Sequence, residues 1–348
     1  MIGIENISKD WPNFSLKNIN LKAKNKEYFV ILGPTGAGKT LLLELIAGFY
    51  KPDEGRIFLG EEDVTFENPE DRDVGFVYQD YSLFPHLTVE ENIKYGLEVN
   101  DFSKDAIREK TKHIVNLLEI SHLTEHYPKT LSGGEQQKTA LARGLIMDPE
   151  ILLLDEPISA LDKPSQERMR EELKRIHRKA GITTIHVTHN REEASWLGDR
   201  IGVMNRGKIV QVGTPSEVFR EPKSEFVADF VGTENIFKGT SVVKNGIAQI
   251  DIGKGIKLEA VTDKEGEVTA CIRPEEILLS KDSFKSSGSN VFKGKVVDII
   301  ELENTFQIRI DAGQNFSIVI TKRSKSDMKI EKGSKVYLTF KASAVHVL

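Results

Sequence analysis

The sequence is poor in cysteine and has no long apolar runs. One cysteine, Cys271, among 348 residues excludes an internal disulfide framework and favours a reducing compartment. The longest apolar runs, residues 28–32 and 151–154, have the length of strands, whereas a membrane-spanning helix needs roughly 18 apolar residues. Residues 1–5 show neither the basic nor the apolar stretch of a secretory signal. We therefore expect a cytoplasmic chain that does not itself cross a bilayer.

A strong excess of charge of one sign is also missing. The chain has 48 Lys and Arg and 53 Asp and Glu residues, which gives a net charge of −5. This balance argues against a nucleic-acid partner. The charge is unevenly distributed, however, because residues 235–348 carry 18 basic and 14 acidic side chains. A mildly basic region of this kind can be a solvated surface or can hold an anion, and charge alone does not choose between the two.

The length and the pattern of the sequence predict at least two domains. The first two thirds alternate continuous apolar strands with helix-length amphipathic runs, which is typical of a parallel sheet covered by helices on both faces. The last third changes to short β segments separated by Gly, Asn, Asp and Ser. We place the boundary at 232, so that the domains are residues 1–232 and 233–348.

The C-terminal domain contains a diverged internal repeat. Lys-Gly pairs at 238–239 and 293–294 each open a strand pair, and a basic residue, Arg273 or Lys341, ends the last strand of each copy. Two lobes of about 235–282 and 287–348 follow, each most simply a five-stranded barrel of the oligonucleotide/oligosaccharide-binding type. A single irregular sandwich is the alternative.

A phosphate-binding loop lies between a predicted strand and a predicted helix. The segment 33–40, GPTGAGKT, fits the pattern G-x-x-x-x-G-K-[ST], and this context separates it from an ordinary glycine-rich turn. Backbone N–H groups of such a loop bind phosphate at a helix N-terminus, while Lys39 reaches the β- and γ-phosphates and the Thr40 hydroxyl ligates Mg²⁺. The predicted phosphate ligands in the loop are Gly33, Pro34, Thr35, Gly36, Ala37, Gly38, Lys39 and Thr40.

Two carboxylates follow the buried strand 151–154. Asp155 stands at the carboxyl end of this strand, where open α/β sheets bind ligands, and is the expected Mg²⁺ partner. Glu156 is placed to polarise a water molecule aimed at the γ-phosphate. The alternative for Glu156 is a solvated loop residue.

The segment LSGGE at 131–135 allows two interpretations, a helix cap and an anion-binding helix start. Ser132 and Glu135 fit a capping box at the start of a helix. A capping box leaves Gly133 and Gly134 unexplained, since two glycines in a first turn destabilise the helix but open its amides to an anion.

Five motifs now stand in one order: the phosphate loop, 131–135, Asp155-Glu156, 159–162 (SALD) and His189. Their order and spacing resemble those of the ATP-binding subunits of ABC transporters. The resemblance implies an α/β P-loop nucleotide-binding domain of the ABC type, followed here by the all-β domain of two small OB-like barrels. It implies a head-to-tail homodimer in which each ATP lies between the phosphate loop of one copy and Ser132, Gly133 and Gly134 of the other.

The same resemblance assigns further roles. Gln79 corresponds to the glutamine that senses Mg²⁺, His189 to the histidine that contacts the γ-phosphate, and Asp162 to an acidic residue that contacts the partner. The implied catalytic residues are Glu156, His189 and Lys39, and the implied metal ligands are Thr40, Gln79 and Asp155. Trp11 is the favoured aromatic for stacking on adenine, with Phe14 as its rival.

Two positions depart from the family pattern and one segment follows it. The family usually has Gln at 135 and Arg at 138, where this chain has Glu135 and Lys138. Residues 81–89, YSLFPHLTV, are similar to the segment of importer ATPases that holds a helix of the membrane subunit. That similarity predicts two transmembrane permease subunits as partners.

The C-terminal domain resembles the small molybdate-binding domains. Segments 287–290, 293–296 and 341–345 carry this resemblance, although the family usually has Arg where Ser289 stands. Hydroxyls, free amides and lysines are suitable donors for a tetrahedral dianion. A flexible tether is the alternative for residues 283–289. The candidate oxyanion ligands are Ser287, Gly288, Ser289, Asn290, Lys293, Thr321, Lys341 and Ser343, with Ser324 as a weaker one.

The sequence thus predicts an ATP-hydrolysing subunit, with ATP and Mg²⁺ as cofactors, at the cytoplasmic face of the membrane. We expect it to power import of molybdate or tungstate delivered by an extracytoplasmic binding protein, with feedback inhibition by oxyanion bound to the C-terminal domain. One alternative is an ATPase of a sulfate, iron, polyamine or sugar importer whose C-terminal domain dimerises or binds a regulatory protein. The other is a soluble ATPase of translation or DNA repair.

Overall fold

The structure, a computed structural model, describes residues 1–244, 246–282 and 289–348. The chain forms two compact units, Met1–Pro215 and Ser216–Leu348. This division precedes the boundary at 232 because the segment after 215 packs on the β strands that follow it: Thr269 Oγ1, for example, donates a hydrogen bond of 2.9 Å to Glu225. Within the described ranges, no helix combines the length and the apolar character that a bilayer crossing requires.

The helices and strands confirm the predicted change from alternating strands and helices to short β strands. In the first unit they are β1 (Ile2–Trp11), β2 (Phe14–Ala23), β3 (Tyr28–Leu32), α1 (Lys39–Ala47), β4 (Glu54–Leu59), β5 (Glu62–Asp63), β6 (Val74–Val77), α2 (Val89–Val99), α3 (Lys104–Leu117), α4 (Gly133–Leu145), β7 (Ile151–Asp155), α5 (Lys163–Ala180), β8 (Thr183–Thr188), α6 (Arg191–Leu197), β9 (Arg200–Asn205) and β10 (Lys208–Gly213). They continue with α7 (Pro215–Arg220), α8 (Glu225–Phe230), β11 (Asn235–Lys244), β12 (Ile247–Asp251), β13 (Lys257–Ala260), β14 (Gly266–Ile272), β15 (Leu278–Ser280), β16 (Asn290–Glu301), β17 (Thr305–Asp311), β18 (Asn315–Thr321), α9 (Lys322–Asp327), β19 (Lys335–Phe340) and β20 (Val345–Val347).

A six-stranded sheet of order β10-β9-β3-β8-β7-β6 lies at the centre of the first unit. All of its neighbours pair in parallel except β10 with β9, which confirms the predicted parallel sheet. Every residue of β3, β7 and β8 is buried, as expected for strands covered on both faces. The strands β3, β6, β7 and β8 end at one edge, so that the loops after them are neighbours.

An antiparallel sheet of order β2-β1-β4-β5 and the helices complete this unit. Apolar residues of β1 and β2 form one core with α1 and the central strands. In α5, the side chains of Met169, Leu173 and Ile176 are buried on one face, as the periodicity predicts. The helix ends at Ala180 and is capped by Gly181, whose φ of +62° suits a glycine.

The second unit consists mainly of two five-stranded antiparallel sheets, of order β13-β12-β11-β14-β20 and β15-β19-β16-β17-β18. In each sheet, Cα atoms of the two edge strands come within 8 Å of each other. The sheet therefore curves into a half-barrel. The fold class is confirmed. The strand pairing departs from the predicted lobe limits, however, because β15 pairs with β19 of the second sheet and β20 returns to β14 of the first. This exchange fits the packing, since the inner faces of both sheets share one apolar core.

Candidate functional site

The phosphate loop, residues 33–38, joins β3 to α1 and depends on its glycines. Gly36 and Gly38 have φ values of +79° and +100°, a region that side chains strongly disfavour. A Cβ at Gly38 would lie 2.6 Å from the ring of Phe14, and one at Gly33 would lie 2.4 Å from the carbonyl oxygen of Met204. The loop is therefore packed too tightly for larger residues at these positions.

Lys39, the first residue of α1, is buried beneath this loop. Its Nζ donates hydrogen bonds to the carbonyl oxygens of Gly33, at 3.0 Å, and Pro34, at 3.1 Å, and lies 3.5 Å from Oε1 of Glu156. Burial lowers the pKa of Lys39, and the nearby Glu156 carboxylate opposes that shift. An anion in the loop would provide the ammonium group with a stronger partner than the two carbonyls.

Two of the predicted metal ligands, Thr40 at the start of α1 and Asp155 at the end of β7, are in direct contact. Thr40 Oγ1 donates a hydrogen bond of 3.0 Å to Oδ1 of Asp155. Burial raises the pKa of Asp155, and the Thr40 hydrogen bond opposes the shift. Gln79 stands two residues after β6, the strand that pairs with β7. Hydroxyl, carboxylate and amide oxygens are the donors that Mg²⁺ prefers, so this set fits a magnesium ion.

Glu156 and His189 form a direct pair beside Lys39. Oε2 of Glu156 lies 2.8 Å from Nδ1 of His189, whose side chain is half exposed. The backbone of Glu156 has a φ of +43°, an unfavourable value for a residue with a side chain, and its N–H donates to the carbonyl of Val187 at 3.0 Å. The structure thus holds this carboxylate between a lysine and a histidine and not as a solvated loop residue.

A second group contains the predicted contacts to a partner copy. Ser132 precedes α4, and Asp162 precedes α5. A Cβ at Gly133 would lie 2.9 Å from Leu161, so segments 131–135 and 159–162 are in contact. A side chain at Gly133 would have to displace the Leu161 side chain, whereas Gly134 faces open space. The role of this group at a partner's nucleotide stays a prediction.

The capping box at Ser132 is present, and it involves the unusual Glu135. Oε2 of Glu135 accepts hydrogen bonds of 2.7 Å from both the backbone N–H and the hydroxyl of Ser132. These bonds lower the pKa of Glu135, so the carboxylate is ionised at neutral pH. The hydroxyl that the resemblance assigns to ATP is therefore already engaged.

Replacing Glu135 by Gln is expected to tighten ATP binding about twofold to fivefold, because the change removes a half-buried negative charge near the predicted γ-phosphate position. Titration of the full chain with a fluorescent ATP analogue measures this shift. Glu125→Gln, at an exposed position, is the control. Unchanged affinity and hydrolysis in Glu135→Gln would contradict the assignment.

Both candidate adenine-stacking aromatics lie at the turn between β1 and β2, where Trp11 and Phe14 are paired. The Phe14 ring packs against Gly38, so it supports the phosphate loop. The Trp11 ring meets Tyr50 edge to face, with 5.5 Å between ring centroids. Tyr50, which was not among the candidates from the sequence, lies just after the Gly48 cap of α1.

The predicted permease-contact segment, residues 81–89, is held by internal contacts. Asn92 is fully buried, and its side chain both accepts from the N–H of Phe84, at 2.8 Å, and donates to the carbonyl of the same residue, at 3.0 Å. The Phe84 ring lies 4.7 Å from Tyr95 and 5.1 Å from the Arg143 guanidinium carbon. Tyr95 remains 43% exposed, which leaves part of this aromatic surface open to a partner.

The structure separates the candidate oxyanion ligands. Ser287 and Gly288 lie outside the described residues, and Ser289 is exposed. Asn290 is buried, with its amide bonded to both the N–H and the carbonyl of Glu259. That engagement makes Asn290 a link between β16 and β13.

The other candidates lie at three different places. Lys293 stands on β16 with its Nζ 6.0 Å from the centre of the Tyr337 ring. Thr321 caps α9 and accepts from the backbone N–H of Ser324 at 3.1 Å, and the two hydroxyls lie 2.9 Å apart, so both side chains contribute to the helix start. Lys341 and Ser343 line a cavity.

This cavity lies within the second unit and has a volume of about 810 Å³. Arg220 and Arg273 line it together with Lys341, although Glu275 bonds the Arg273 guanidinium at 2.7 Å. Its lining residues are Arg220, Glu221, Pro222, Thr233, Val261, Cys271, Arg273, Glu275, Glu276, Leu278, Thr339, Phe340, Lys341, Ser343, Ala344, Val345 and His346. The two arginines were not among the candidates from the sequence, although the repeat had aligned Arg273 with Lys341. Arg273 and Lys341 each precede a short 3₁₀ turn.

Comparisons with known proteins agree with this arrangement. The ABC transporter family model matches residues 16–159, and the TOBE domain model matches residues 286–347. A molybdate/tungstate import ATP-binding protein of Pyrococcus abyssi is 45% identical over 348 residues, 100% of both chains. An Fe(3+) ions import ATP-binding protein of Fusobacterium nucleatum is 37% identical and covers 99% of this chain and 92% of its own.

Among solved structures, a dimeric ATP-binding cassette in a post-hydrolysis state with ADP and Pi is 31% identical. The alignment has a TM-score of 0.55 and covers 62% of this chain and 99% of the cassette chain. The fold and the site thus define a P-loop ATPase of the cassette type. The chain belongs to the ATP-binding import proteins of the ABC transporter family, which hydrolyse ATP to drive transport, and carries a C-terminal TOBE domain.

Proposed function

We propose that this chain powers the import of molybdate or tungstate. The similarity to molybdate/tungstate import ATP-binding proteins along the whole chain carries this proposal, since it includes the C-terminal unit as well as the ATPase. The chain works as a head-to-tail homodimer at the cytoplasmic face of the membrane, beneath two permease subunits that receive the oxyanion from an extracytoplasmic binding protein.

The catalytic cycle uses the groups around the phosphate loop. Lys39 and the loop amides bind the phosphates of ATP. Thr40, Gln79 and Asp155 would hold a Mg²⁺ ion, which would neutralise charge on these phosphates. Glu156 orients the attacking water, and His189 keeps this carboxylate in place. Trp11 stacks on the adenine. Ser132, Gly134 and Asp162 of the partner copy close the site.

The cavity of the second unit is the feedback site. Arg220, Arg273 and Lys341 provide positive charge there, beside three lining carboxylates, and the hydroxyls of Thr233 and Ser343 provide neutral donors. Oxyanion bound in this cavity favours the open ATPase dimer, so that uptake stops when the cell is replete. By linkage, ATP-driven closure must then weaken oxyanion binding by the same factor.

Calorimetric titration of the full chain with molybdate, tungstate and sulfate tests this site. Binding of the first two is expected to weaken at least about tenfold in Arg273→Ala and Lys341→Ala, because each loses a charge-assisted hydrogen bond. Lys335→Ala, at the opposite end of β19, is the matched control. Ser289→Ala tests whether Ser289, which directly follows the undescribed residues 283–288, contributes to oxyanion binding.

Cys271 provides a second readout. Its thiol is only 2% exposed, and burial raises its pKa to about 12, so labelling at neutral pH is slow. Bound oxyanion should slow labelling further. No heat from any oxyanion and unchanged labelling would reduce the second unit to a dimerisation or protein-binding domain, as in the alternative of an iron or polyamine importer.

A further inference from the structure

The buried carboxylate of Glu193, on α6, has no role in the mechanism described so far. It is 2% exposed, although its carboxylate lies next to no lysine or arginine in the contacts of the described residues. Burying a carboxylate away from water is unfavourable unless its hydrogen bonds compensate. The contacts of Glu193 therefore indicate what it does.

Glu193 accepts a hydrogen bond from the last side chain of β8. Thr188 Oγ1 donates to Oε2 of Glu193 at 2.8 Å, and the same hydroxyl accepts from the N–H of Asn190 at 3.0 Å. The Asn190 side chain in turn accepts from the N–H of Glu192, at 2.8 Å, and caps α6. His189 is the residue between Thr188 and Asn190, so this network fixes the backbone on both sides of it.

The end of β8 also holds the two catalytic loops. The carbonyl of Thr188 accepts from the N–H of Gly33 at 3.2 Å, and that of Val187 accepts from the N–H of Glu156 at 3.0 Å. The start of the phosphate loop and the backbone of Glu156 thus share one strand end with His189. A small rotation at Thr188 would move His189 relative to Glu156.

The interior side of Glu193 is equally constrained. Nε2 of the fully buried His186 lies 3.5 Å from Oε2 of Glu193, and its Nδ1 lies 2.9 Å from the hydroxyl of Tyr28 on β3. The carboxylate is therefore set against the central sheet and cannot move without breaking core contacts.

We propose that Glu193 is a positioning residue for ATP hydrolysis: through the Thr188 hydroxyl it sets the turn that places His189 against Glu156. This role requires the hydrogen-bond acceptor more than the charge. Glu193→Gln retains an oxygen that can accept from Thr188, whereas Glu193→Leu does not. Thr188→Val removes the donor with little change of volume, and Thr188→Ser restores it.

Steady-state ATP hydrolysis by the full chain tests the proposal. Glu193→Leu and Thr188→Val are expected to lower kcat about tenfold to a hundredfold with little change in KM, since misplacing a catalytic group by about 1 Å has effects of this size. Glu193→Gln and Thr188→Ser should keep most of the activity. Glu192→Gln, at the exposed neighbouring position, is the control.

A double-mutant cycle separates positioning from a general structural role. In a His189→Ala background, Thr188→Val should cause no further loss, because the residue that it positions is already gone. The same fold-loss in both backgrounds would overturn the proposal, as would an unchanged kcat in folded Thr188→Val. If Glu193→Leu does not fold, the two threonine variants still decide the outcome.

Discussion

Replacing Glu156 by Gln is expected to slow ATP hydrolysis by the full chain about 10²-fold to 10⁴-fold, the range expected when a general base or water-orienting group is lost. The amide keeps the size of the side chain but cannot accept a proton, and it loses the charge that faces Lys39 at 3.5 Å and His189 at 2.8 Å. ATP binding should persist, because the phosphate loop, Lys39 and Asp155 are unchanged. Single-turnover hydrolysis and binding of a fluorescent ATP analogue measure the two effects separately.

Glu150→Gln is the matched control for this experiment, since Glu150 directly precedes β7 and is exposed at the strand's opposite end. It should leave both hydrolysis and binding unchanged. A Glu156→Gln variant that hydrolyses ATP at more than about a tenth of the normal rate would show that another group activates the water.

Replacing Arg72 by Met is expected to lower the free energy of unfolding of the first unit by about 3 to 4 kcal/mol. The guanidinium group is 4% exposed and donates to four carbonyl oxygens, those of Leu45, Ile46, Thr65 and Glu67, at 2.6–3.2 Å. Two of these carbonyls end α1, the helix that begins at the phosphate loop. Methionine fills the space but leaves the buried acceptors without a donor.

Chemical denaturation followed by tryptophan fluorescence measures this effect, because both tryptophans, Trp11 and Trp196, lie in the first unit. Arg56→Met is the control: Arg56 is 69% exposed and lies 3.8 Å from Asp63, so the free energy of unfolding should change by no more than about 0.5 kcal/mol. Equal losses in the two variants would refute the capping role of Arg72.

The phosphate loop and the order of the strands and helices around it could be predicted from the sequence. A G-x-x-x-x-G-K-[ST] segment between a buried strand and a helix has few other structures open to it, and Asp155 and Glu156 directly follow such a strand. Because parallel strands place their carboxyl ends at one edge, the proximity of Lys39, Asp155 and His189 follows from topology alone. These residues lie far apart in sequence, yet the pattern brings them together.

The second unit was less predictable from its sequence. Short strands with two-residue periodicity predict β structure, but their pairing partners depend on which apolar faces fit together in one core. The exchange of β15 and β20 between the sheets follows from that shared core. Likewise, the sequence predicts Asn290 as an anion ligand, whereas in the structure its amide is hydrogen-bonded to the backbone of Glu259.

The sequence by itself therefore determined the class of fold, the nucleotide-binding motifs and the family, because these depend on local patterns and on spacing along the chain. Only the tertiary structure decided the partners of Arg72, the position of Glu193 behind Thr188, and the meeting of Arg220 with Arg273 and Lys341 around one cavity. The physical reason is that hydrogen bonds and burial of long polar side chains join residues distant in sequence, and no periodicity along the chain records which of them will meet.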